Sequence, residues 1–307
     1  MSGANDLSVR IGQIKLKNPV MPASGTFGYG QEYESFIDLN QLGAVIVKGT
    51  TLKPRTGSFP RRSTETASGM LGSIGLQNVG VERFIKDKLP YFDNIDSCLI
   101  VNVGGHSIEE YIEVVDILSR EKRVDALEIN ISCPNVAKGG MSFGTDPEIV
   151  RDLVTRVRDA TDKTIIIKLT PMAKDLRPMA EICQQCGAQG VSLINAPLGM
   201  AIDIETRRSK LGRNITGGLV GPAIKPIALH MVWQVAQVVD IPIIGIGGIS
   251  SAEDALEFII AGATAIEIGT WNFVNPGIMI DVIEGIKNYL KSHAIQSVGE
   301  LIGSFER

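Results

Sequence analysis

Two stretches decide the fold: Ala126-Leu-Glu-Ile-Asn-Ile131 and Thr164-Ile-Ile-Ile-Lys-Leu169, separated by a helical pattern over Pro147–Ala160. Both stretches are short and almost continuously apolar, as is typical of parallel strands that are buried on both faces. The segment between them carries apolar residues at three- and four-residue spacing, and Asp146 before Pro147 is a helix-capping signal. A strand, a helix and a second strand of this kind form the basic unit of an α/β fold.

The same unit recurs along the chain, because strand-like apolar runs occur eight times. The eight runs are Pro19–Ala23, Ala44–Lys48, Cys98–Val103, Ala126–Ile131, Thr164–Leu169, Gly190–Asn195, Ile241–Ile246 and Thr264–Ile268. Helical patterns lie between most of them, over Ser107–Arg120, Pro147–Ala160, Asp175–Cys186, Pro222–Val239 and Ser251–Ala261. Eight strands that alternate with helices predict a closed (β/α)8 TIM barrel of the α/β class; the alternative, an open doubly wound sheet, usually needs fewer strands.

Three further segments complete the predicted architecture. Leu7–Leu16 alternates in polarity before the first strand, so we expect an N-terminal hairpin over the bottom of the barrel. The connections Gly49–Gly80 and Ala196–Gly221 are too long for plain strand-to-helix turns, and we expect these insertions at the C-terminal face, where barrels build their active sites. No linker is visible, so residues 1–307 are predicted to form one domain.

Composition narrows the class of protein. The chain has 307 residues, 44% of them hydrophobic, and a formal net charge of −4 without any long basic run, so a nucleic-acid-binding surface is not expected. The first residues do not resemble a secretory signal, and no apolar run reaches the length of a membrane span. Four cysteines do not form a disulfide framework in a chain of this size. A cytoplasmic protein that contacts no membrane is therefore expected.

Polar side chains interrupt or end several of the apolar strands. They are Ser24, Lys48, Asn102, Asn130, Ser132, Lys168 and Asn195. A buried lysine or amide is costly unless it has a partner, so one such residue alone would indicate a structural hydrogen bond. So many at the same end of a barrel favour a ligand site.

Glycines follow the last two predicted strands, at Gly247–Gly248 and at Gly269–Thr270. The loops after strands seven and eight of a barrel often bind a phosphate, and glycine allows backbone N–H groups to approach an anion closely. The pair after strand seven lacks the third glycine of the dinucleotide fingerprint. A phosphate site is the favoured interpretation, and simple turn glycines are the alternative.

Cys133 follows the fourth strand in the run Asn130-Ile-Ser-Cys-Pro-Asn135. A lone cysteine is usually a small buried hydrophobe, but the polar residues around this one are poor core neighbours, so we interpret it as a functional thiol. Cys183 and Cys186 form a C-x-x-C pair at the end of a helical pattern, without a second pair. Helix packing is the favoured interpretation of that pair, and no metal site is predicted.

Four motifs together resemble the class 1 dihydroorotate dehydrogenases, and most nearly the catalytic subunit of class 1B. The motifs are Ala44-Val-Ile-Val-Lys-Gly-Thr50, Ser73-Ile-Gly-Leu-Gln-Asn78, Asn130-Ile-Ser-Cys-Pro-Asn-Val136 and Thr216-Gly-Gly-Leu-Val-Gly-Pro-Ala223. The resemblance covers essentially the whole chain. It implies an FMN-dependent oxidation of dihydroorotate to orotate in the de novo biosynthesis of pyrimidines (UMP).

The resemblance also implies roles for individual residues. The flavin would be contacted by Ser24, Lys48, Gly49, Asn102, Asn130, Lys168, Ile194 and Gly221, and its phosphate by Gly247, Gly248, Gly269 and Thr270. The substrate would be contacted by Lys48, Gly72, Ile74, Gly75, Leu76, Asn130, Asn135, Asn195 and Ala196. Cys133 would remove the C5 proton while a hydride passes from C6 to the flavin, and Lys168 would stabilise the reduced form electrostatically.

The resemblance further implies a partner. Class 1B enzymes pair with an electron-transfer subunit that carries FAD and a [2Fe–2S] cluster and passes electrons to NAD+, around a homodimer core of a heterotetramer. The chain lacks the cysteine spacing for such a cluster, so FAD and the cluster are expected only on the partner.

Two positions depart from the family pattern, which has Asn at the position of Gly72 and Thr or Ser at that of Ala196. These two positions leave open a related flavin oxidoreductase that acts on a different dihydropyrimidine or cyclic substrate. Two further alternatives are a non-catalytic flavin- or metabolite-binding barrel and, from the fold alone, a phosphate-sugar isomerase or aldolase.

Overall fold

A computed structural model of the chain describes residues 5–132, 134–135 and 141–306. Eight strands form a single parallel sheet that is nearly closed into a barrel. They are β1 Val20–Pro22, β2 Ala44–Thr50, β3 Cys98–Val103, β4 Ala126–Asn130, β5 Thr164–Lys168, β6 Gly190–Leu193, β7 Ile243–Ile246 and β8 Ala265–Ile268. The predicted TIM barrel is confirmed. Seven of the strands lie within their predicted apolar runs, and β2 continues beyond its run to Thr50.

The sheet runs in chain order around the barrel, and β1 also pairs with β8 in parallel. The first and second strands meet where the Gly43 amide donates to the Val20 carbonyl at 3.0 Å. Apolar side chains such as Ile46 and Ile166 are fully buried. Because all strands are parallel, their C-terminal ends lie at one rim, which is the rim that carries ligand sites in barrels.

Within the described part of the chain, seven α-helices follow the strands and cover the sheet from outside. They are α1 Val81–Asp87, α2 Ile108–Ser119, α3 Pro147–Asp159, α4 Leu176–Gln185, α5 Lys225–Val235, α6 Ala252–Ile260 and α7 Ile278–Ser292. The cap predicted at Asp146 is present, since its carboxylate accepts from the amides of Glu148 and Ile149. Among the residues described, no helix has the length and apolar character that a membrane crossing requires.

Two helices differ from the sequence-based expectation. The pattern over Pro222–Val239 divides into a 3-10 turn, Pro222–Ile224, and α5, which ends at Val235. The helices α1 and α7 were not among the predicted patterns. α1 is a short helix after the long insertion, whereas α7 has apolar residues at helical spacing, such as Val282, Ile283 and Ile286, that the sequence-based prediction did not use.

The predicted hairpin is present below the barrel. Val9–Ile11 pairs with Ile14–Leu16 in antiparallel register. The amide of Gln13 donates to the Thr164 hydroxyl at 3.0 Å, which fixes the turn under the N-terminal end of β5. Ile11 and Leu16 are fully buried, so the hairpin closes the bottom of the core.

The two long connections form one structure at the opposite rim. Gly69–Gly72 pairs with Ser63–Thr66 from the same insertion and with Gly217–Val220 from the other insertion. Leu198–Gly199 adds a fourth strand beside Gly217–Val220. The sequence predicted long loops at this face, whereas backbone pairing between segments about 150 residues apart makes them a four-stranded antiparallel sheet.

Candidate active site

Two of the polar residues at the strand ends, Asn130 and Asn195, are in direct contact. Asn195, just after β6, donates through Nδ2 to Oδ1 of Asn130 at 3.1 Å. Asn130 ends β4, and the Tyr111 hydroxyl donates to its backbone carbonyl at 2.5 Å. The Asn130 and Asn195 amides are thus held in fixed orientations at the barrel mouth.

Asn102 connects the barrel mouth to Glu128 in the barrel interior. Its Nδ2 donates to Oε2 of Glu128 at 2.5 Å, while its buried Oδ1 has no hydrogen-bond partner among the described residues. A Cβ built on Gly49 would lie 3.0 Å from that oxygen and 3.0 Å from Leu76 Cδ2. Asn102 therefore presents an unsatisfied acceptor beside Gly49, where a ligand with a hydrogen-bond donor would satisfy it.

Lys168 lies in a buried cluster of charges inside the barrel. Its Nζ contacts Oε1 of Glu128 at 3.2 Å and Oε2 of Glu267 at 2.9 Å. Ser192 donates from its hydroxyl to Oε1 of Glu128 at 2.7 Å. All four side chains are buried, so the charged residues are shielded from solvent by the strands that carry them.

The sequence predicts a site role for Lys168 but not for Glu128, Ser192 and Glu267. A signal was present, because both glutamates interrupt strands that are otherwise apolar, in Ala126–Asn130 and in Ala265–Ile268. A carboxylate in the middle of a doubly buried strand needs a partner inside the barrel. Only the closed sheet reveals that the partner comes from β5.

The three charged groups have shifted pKa values. Burial raises the pKa of Glu267 well above its usual value, and the nearby Glu128 raises it further. Burial also works against ionised Glu128, but Lys168 and three hydrogen bonds outweigh it and lower the pKa of Glu128. Burial opposes the charged form of Lys168 too, yet the two carboxyl groups outweigh it and raise its pKa.

Lys48, at the C-terminal part of β2, is a second cation at the rim. It is half-buried, and its Nζ lies 5.7 Å from the centroid of the Tyr29 ring. Burial lowers its pKa, and the positive charge of Arg62 adds to that effect, while Glu32 opposes it. Because it is only partly buried, Lys48 is available to an anionic ligand at the mouth.

The glycines after β7 form a tight cradle with Gly221. Gly247 and Gly248 have φ values of 134° and 73°, and Gly221 has 97°. A Cβ on Gly248 would lie 2.8 Å from the backbone nitrogen of Lys225 and 2.9 Å from the Gly221 carbonyl oxygen. The conformation and the lack of space both require glycine here.

The residues after β8 and β1 lie side by side at the neighbouring part of the rim. The Ala23 amide donates to the Ile268 carbonyl at 2.9 Å, and Ser24 is buried just beyond it. Gly269 and Thr270 follow directly, and Thr270 begins a 3-10 helix that ends at Phe273. Ile194 is buried, and its amide donates to the Ile246 carbonyl at 3.0 Å, next to the Gly247 turn.

The two positions that depart from the family pattern flank a single residue. Gly72 is the register partner of Gly218, and a Cβ built on Gly218 would lie 2.6 Å from Cβ of Ala196. A Cβ built on Gly72 meets no atom within 4 Å. The four-stranded sheet formed by the two long connections, called the insertion sheet below, therefore has room for a larger side chain at Gly72.

The segment after Gly72 has a strained backbone. Gly75 and Leu76 have φ values of 70° and 53°, and Ile74 is exposed whereas Leu76 packs near Gly49. The left-handed conformation is ordinary for glycine but rare for leucine, so the turn is held by its surroundings. It lies against the barrel mouth through the contact between Leu76 and Gly49.

Cys133 lies outside the described residues, and Asn135 is described through its backbone alone, paired with Met141. Cys183 is fully buried in α4 and burial raises its thiol pKa, in agreement with the packing role expected for the C-x-x-C pair. Across residues 5–132 and 143–306, no three His, Cys, Asp or Glu side chains group as metal ligands would.

Comparisons with known proteins agree with the motifs. The sequence profile of the family described as "Dihydroorotate dehydrogenase" matches residues 6–290. Proteins named "Dihydroorotate dehydrogenase B (NAD(+)), catalytic subunit" from Geotalea daltonii and Thermodesulfovibrio yellowstonii are 53% and 52% identical to the chain. These alignments cover 98% of this chain and 98% and 99% of those proteins. A protein of the same name from Bacteroides fragilis is 52% identical over 98% of this chain and 99% of its own length. The chain therefore belongs to the dihydroorotate dehydrogenase family.

Proposed function

We propose that the chain is the catalytic subunit of an NAD-linked dihydroorotate dehydrogenase, which oxidises dihydroorotate to orotate for pyrimidine biosynthesis. The observation that carries the proposal is its similarity, along 98% of its length, to proteins with that name. The polar residues at the barrel mouth, described above, give the proposal a site. The intact run Asn130-Ile-Ser-Cys-Pro-Asn135 gives it a candidate base.

The residues present fit FMN as the cofactor. The unpartnered Oδ1 of Asn102 and the space kept by Gly49 suit a planar ring with polar edges. Gly221, Gly247 and Gly248 have the conformations that allow backbone N–H groups to face a phosphate. We propose that Ser24, Gly49, Asn102, Asn130, Lys168 and Ile194 hold the flavin end, and that Gly221, Gly247, Gly248, Gly269 and Thr270 hold the phosphate end.

We propose that the chain's own residues divide the reaction between them. Cys133 takes the C5 proton of dihydroorotate, and Lys48 with the amides of Asn130 and Asn195 binds and orients the substrate. The turn from Gly72 to Leu76 and the segments at Asn135 and Ala196 complete the substrate pocket. Lys168 provides positive charge beneath the mouth, where negative charge develops. When bound, FMN supplies the acceptor for the hydride that leaves C6.

We propose that the electrons then pass to a partner subunit. The relatives are named catalytic subunits and NAD(+)-linked, which implies another subunit that deals with NAD+. The proposed partner carries FAD and a [2Fe–2S] cluster and binds a homodimer of this chain. Separate and mixed purification tests this: the chain alone should be reduced by dihydroorotate, but should reduce NAD+ only with the partner present.

Anaerobic titration of the purified chain tests the proposed function most directly. We expect absorbance bands of oxidised flavin that bleach when dihydroorotate is added. Flavin bands that stay oxidised at millimolar dihydroorotate would contradict the activity and favour a non-catalytic flavin-binding barrel. A protein without flavin bands, even after incubation with FMN, would favour an isomerase or aldolase on the same fold.

The glycine cradle predicts the effect of Gly248→Ala. We expect FMN to be retained about tenfold more weakly, because alanine is strained at this φ and its Cβ would contact backbone atoms of Gly221 and Lys225. Fluorescence titration with FMN would measure the dissociation constant. Gly299→Ala is the matched control, since the nearest atom to its Cβ is Ser297 Oγ at 3.4 Å. Equal FMN affinity in both variants would contradict the phosphate cradle.

A second candidate function is the oxidation of a different dihydropyrimidine or cyclic substrate. It is favoured by Gly72 and Ala196, which stand where the family has hydrogen-bonding side chains and which flank Gly218. A lost hydrogen bond to a charged carboxylate costs about 1.5–3 kcal/mol if nothing replaces it.

The double variant Gly72→Asn with Ala196→Thr separates the two candidates. If dihydroorotate is the substrate, other groups compensate and kcat/KM for dihydroorotate should change by less than about tenfold. A rise of about 10- to 100-fold would favour the second candidate. Gly72→Ala is the control, because it adds a methyl group into the same open space without a hydrogen-bonding group.

A further inference from the structure

The Glu128, Lys168 and Glu267 cluster contains two buried carboxyl groups and one buried ammonium group. Both carboxyl groups contact Nζ of Lys168, at 3.2 Å and 2.9 Å. If both glutamates were ionised, the barrel core would hold an uncompensated negative charge. A buried charge without a partner is strongly unfavourable, and such a group takes up a proton instead. One of the two carboxyl groups is therefore expected to be neutral.

The hydrogen bonds identify which glutamate is ionised. Glu128 accepts from Asn102, Ser192 and Lys168, so both of its oxygens have donors. Glu267 accepts only from Lys168 through Oε2, and its Oε1 has no partner among the described residues. Both carboxyl groups contact the same Nζ of Lys168, so they are close neighbours inside the barrel. A proton on Glu267 provides the donor that two carboxylates facing each other would lack.

We infer that Glu267 is a positioning residue that carries a proton, and that this proton sets the net charge of the cluster that holds Lys168 beneath the barrel mouth. With Glu267 neutral, the cluster has one negative and one positive charge, and Lys168 stays cationic. With Glu267 ionised, the cluster has a net charge of −1 beneath the site. The consequence for the cofactor rests on the proposed function, whereas the protonation state of Glu267 does not.

Among the residues that the structure describes, no other charge faces Glu267. The neighbouring strands β1 and β7, Val20–Pro22 and Ile243–Ile246, carry no ionisable side chain. On α6, which packs on β8 from outside, Asp254 and Glu257 pair with Lys225. The remaining acidic or basic side chains of α6 and α7 are exposed, at Glu253, Asp281, Glu284, Lys287 and Lys291. The charges that face Glu267 are thus those of Glu128 and Lys168.

The stability of the folded chain depends on pH because the pKa of Glu267 differs between the folded and the unfolded chain. Unfolded Glu267 has an ordinary pKa of about 4.3, whereas its pKa in the folded chain is raised by burial and by Glu128. The folded chain therefore holds a proton that the unfolded chain releases, and this contribution to stability is lost as pH rises from about 4.3 through the folded pKa. Glutamine imitates the neutral acid and does not titrate. The folding equilibrium constant of Glu267→Gln, relative to that of the original chain, should therefore rise by about tenfold per pH unit in that interval.

The experiment compares the full chain with Glu267→Gln and with Glu128→Gln, as purified. The infrared spectrum of the original chain at neutral pH should contain the carbonyl band of a neutral carboxylic acid. Subtracting the spectrum of each variant shows whether that band is lost. The band should be absent from Glu267→Gln, and also from Glu128→Gln, where Glu267 becomes the counter-ion of Lys168 and ionises. Glu284→Gln, which alters the exposed pair with Lys287, is the matched control and should keep the band.

Urea unfolding and redox titration complete the test. In the original chain, ionisation of Glu267 at rising pH should lower the FMN reduction potential, because it adds a negative charge beneath the site. Glu267→Gln should keep the potential of the original chain at neutral pH and should lack this fall at higher pH. A band that persists in Glu267→Gln, or a stability ratio that does not change with pH, would overturn the inference. Failure of FMN to bind would contradict the proposed function but would leave the infrared and unfolding results as tests of the proton on Glu267.

Discussion

Replacing Cys133 with serine is expected to slow the reduction of bound FMN by dihydroorotate by about 10²- to 10⁴-fold, the usual contribution of a general base. A thiol has an unperturbed pKa of about 8.5 and supplies some thiolate near neutral pH, whereas a serine hydroxyl ionises far less readily. Substrate binding should change little, because the amides of Asn130 and Asn195 stay in place. Anaerobic stopped-flow measurement of flavin reduction would give the rate and the dissociation constant separately.

Cys186→Ser is the matched control for this prediction. Cys186 follows α4 and is only partly buried, so the same replacement there should leave the rate of flavin reduction unchanged. The pH profile adds a second readout, because the limb that reports a thiol should disappear in Cys133→Ser. An unchanged reduction rate in Cys133→Ser would rule out the thiol as the base and leave the flavin site as a separate question.

Replacing Lys168 with methionine is expected to lower the free energy of unfolding by about 3–5 kcal/mol, the usual loss when one partner of a buried ion pair is removed. Lys168 is the counter-ion of Glu128, and both are enclosed by the barrel strands. Methionine keeps most of the volume, so the loss should report charge rather than a cavity. Urea unfolding at neutral pH would measure it.

The pH dependence of Lys168→Met checks the cause. Without the ammonium group, Glu128 loses the interaction that lowers its pKa, so the folded variant should take up a proton and lose stability as pH rises from the unfolded pKa of about 4.3. Lys287→Met, which breaks an exposed pair with Glu284, should lose only about 0–1 kcal/mol. Equal losses in the two variants would show that the barrel cluster is not energetically distinct from a surface pair.

The sequence predicted the barrel because each strand satisfies a local rule. A run such as Thr164–Lys168 is short and has an apolar centre of three isoleucines, and the helix after it is capped by Asp175. The polar strand ends were predictable for the same reason, since amides such as Asn102 and Asn130 stand out against an apolar run. Gly247 and Gly248 are recognisable as candidate phosphate-binding residues because they directly follow the seventh strand.

What the sequence did not predict depends on contacts between distant segments. The insertion sheet pairs Gly72 with Gly218, and neither segment has the alternating apolar pattern of an ordinary strand. Glu128 and Glu267 belong to strands on different sides of the barrel and meet through Lys168. Their relation is invisible until the sheet closes.

The sequence by itself determined the (β/α)8 fold, the polar strand ends and the cysteine of the candidate base, because periodicity and residue type act over a few neighbouring positions. The tertiary structure alone decided that Gly72 and Ala196 flank Gly218, that Gly248 faces Gly221, and that two glutamates share Lys168. Those arrangements depend on distances through the barrel interior. The free energy of a buried charge is likewise set by what surrounds it in space rather than by its neighbours along the chain.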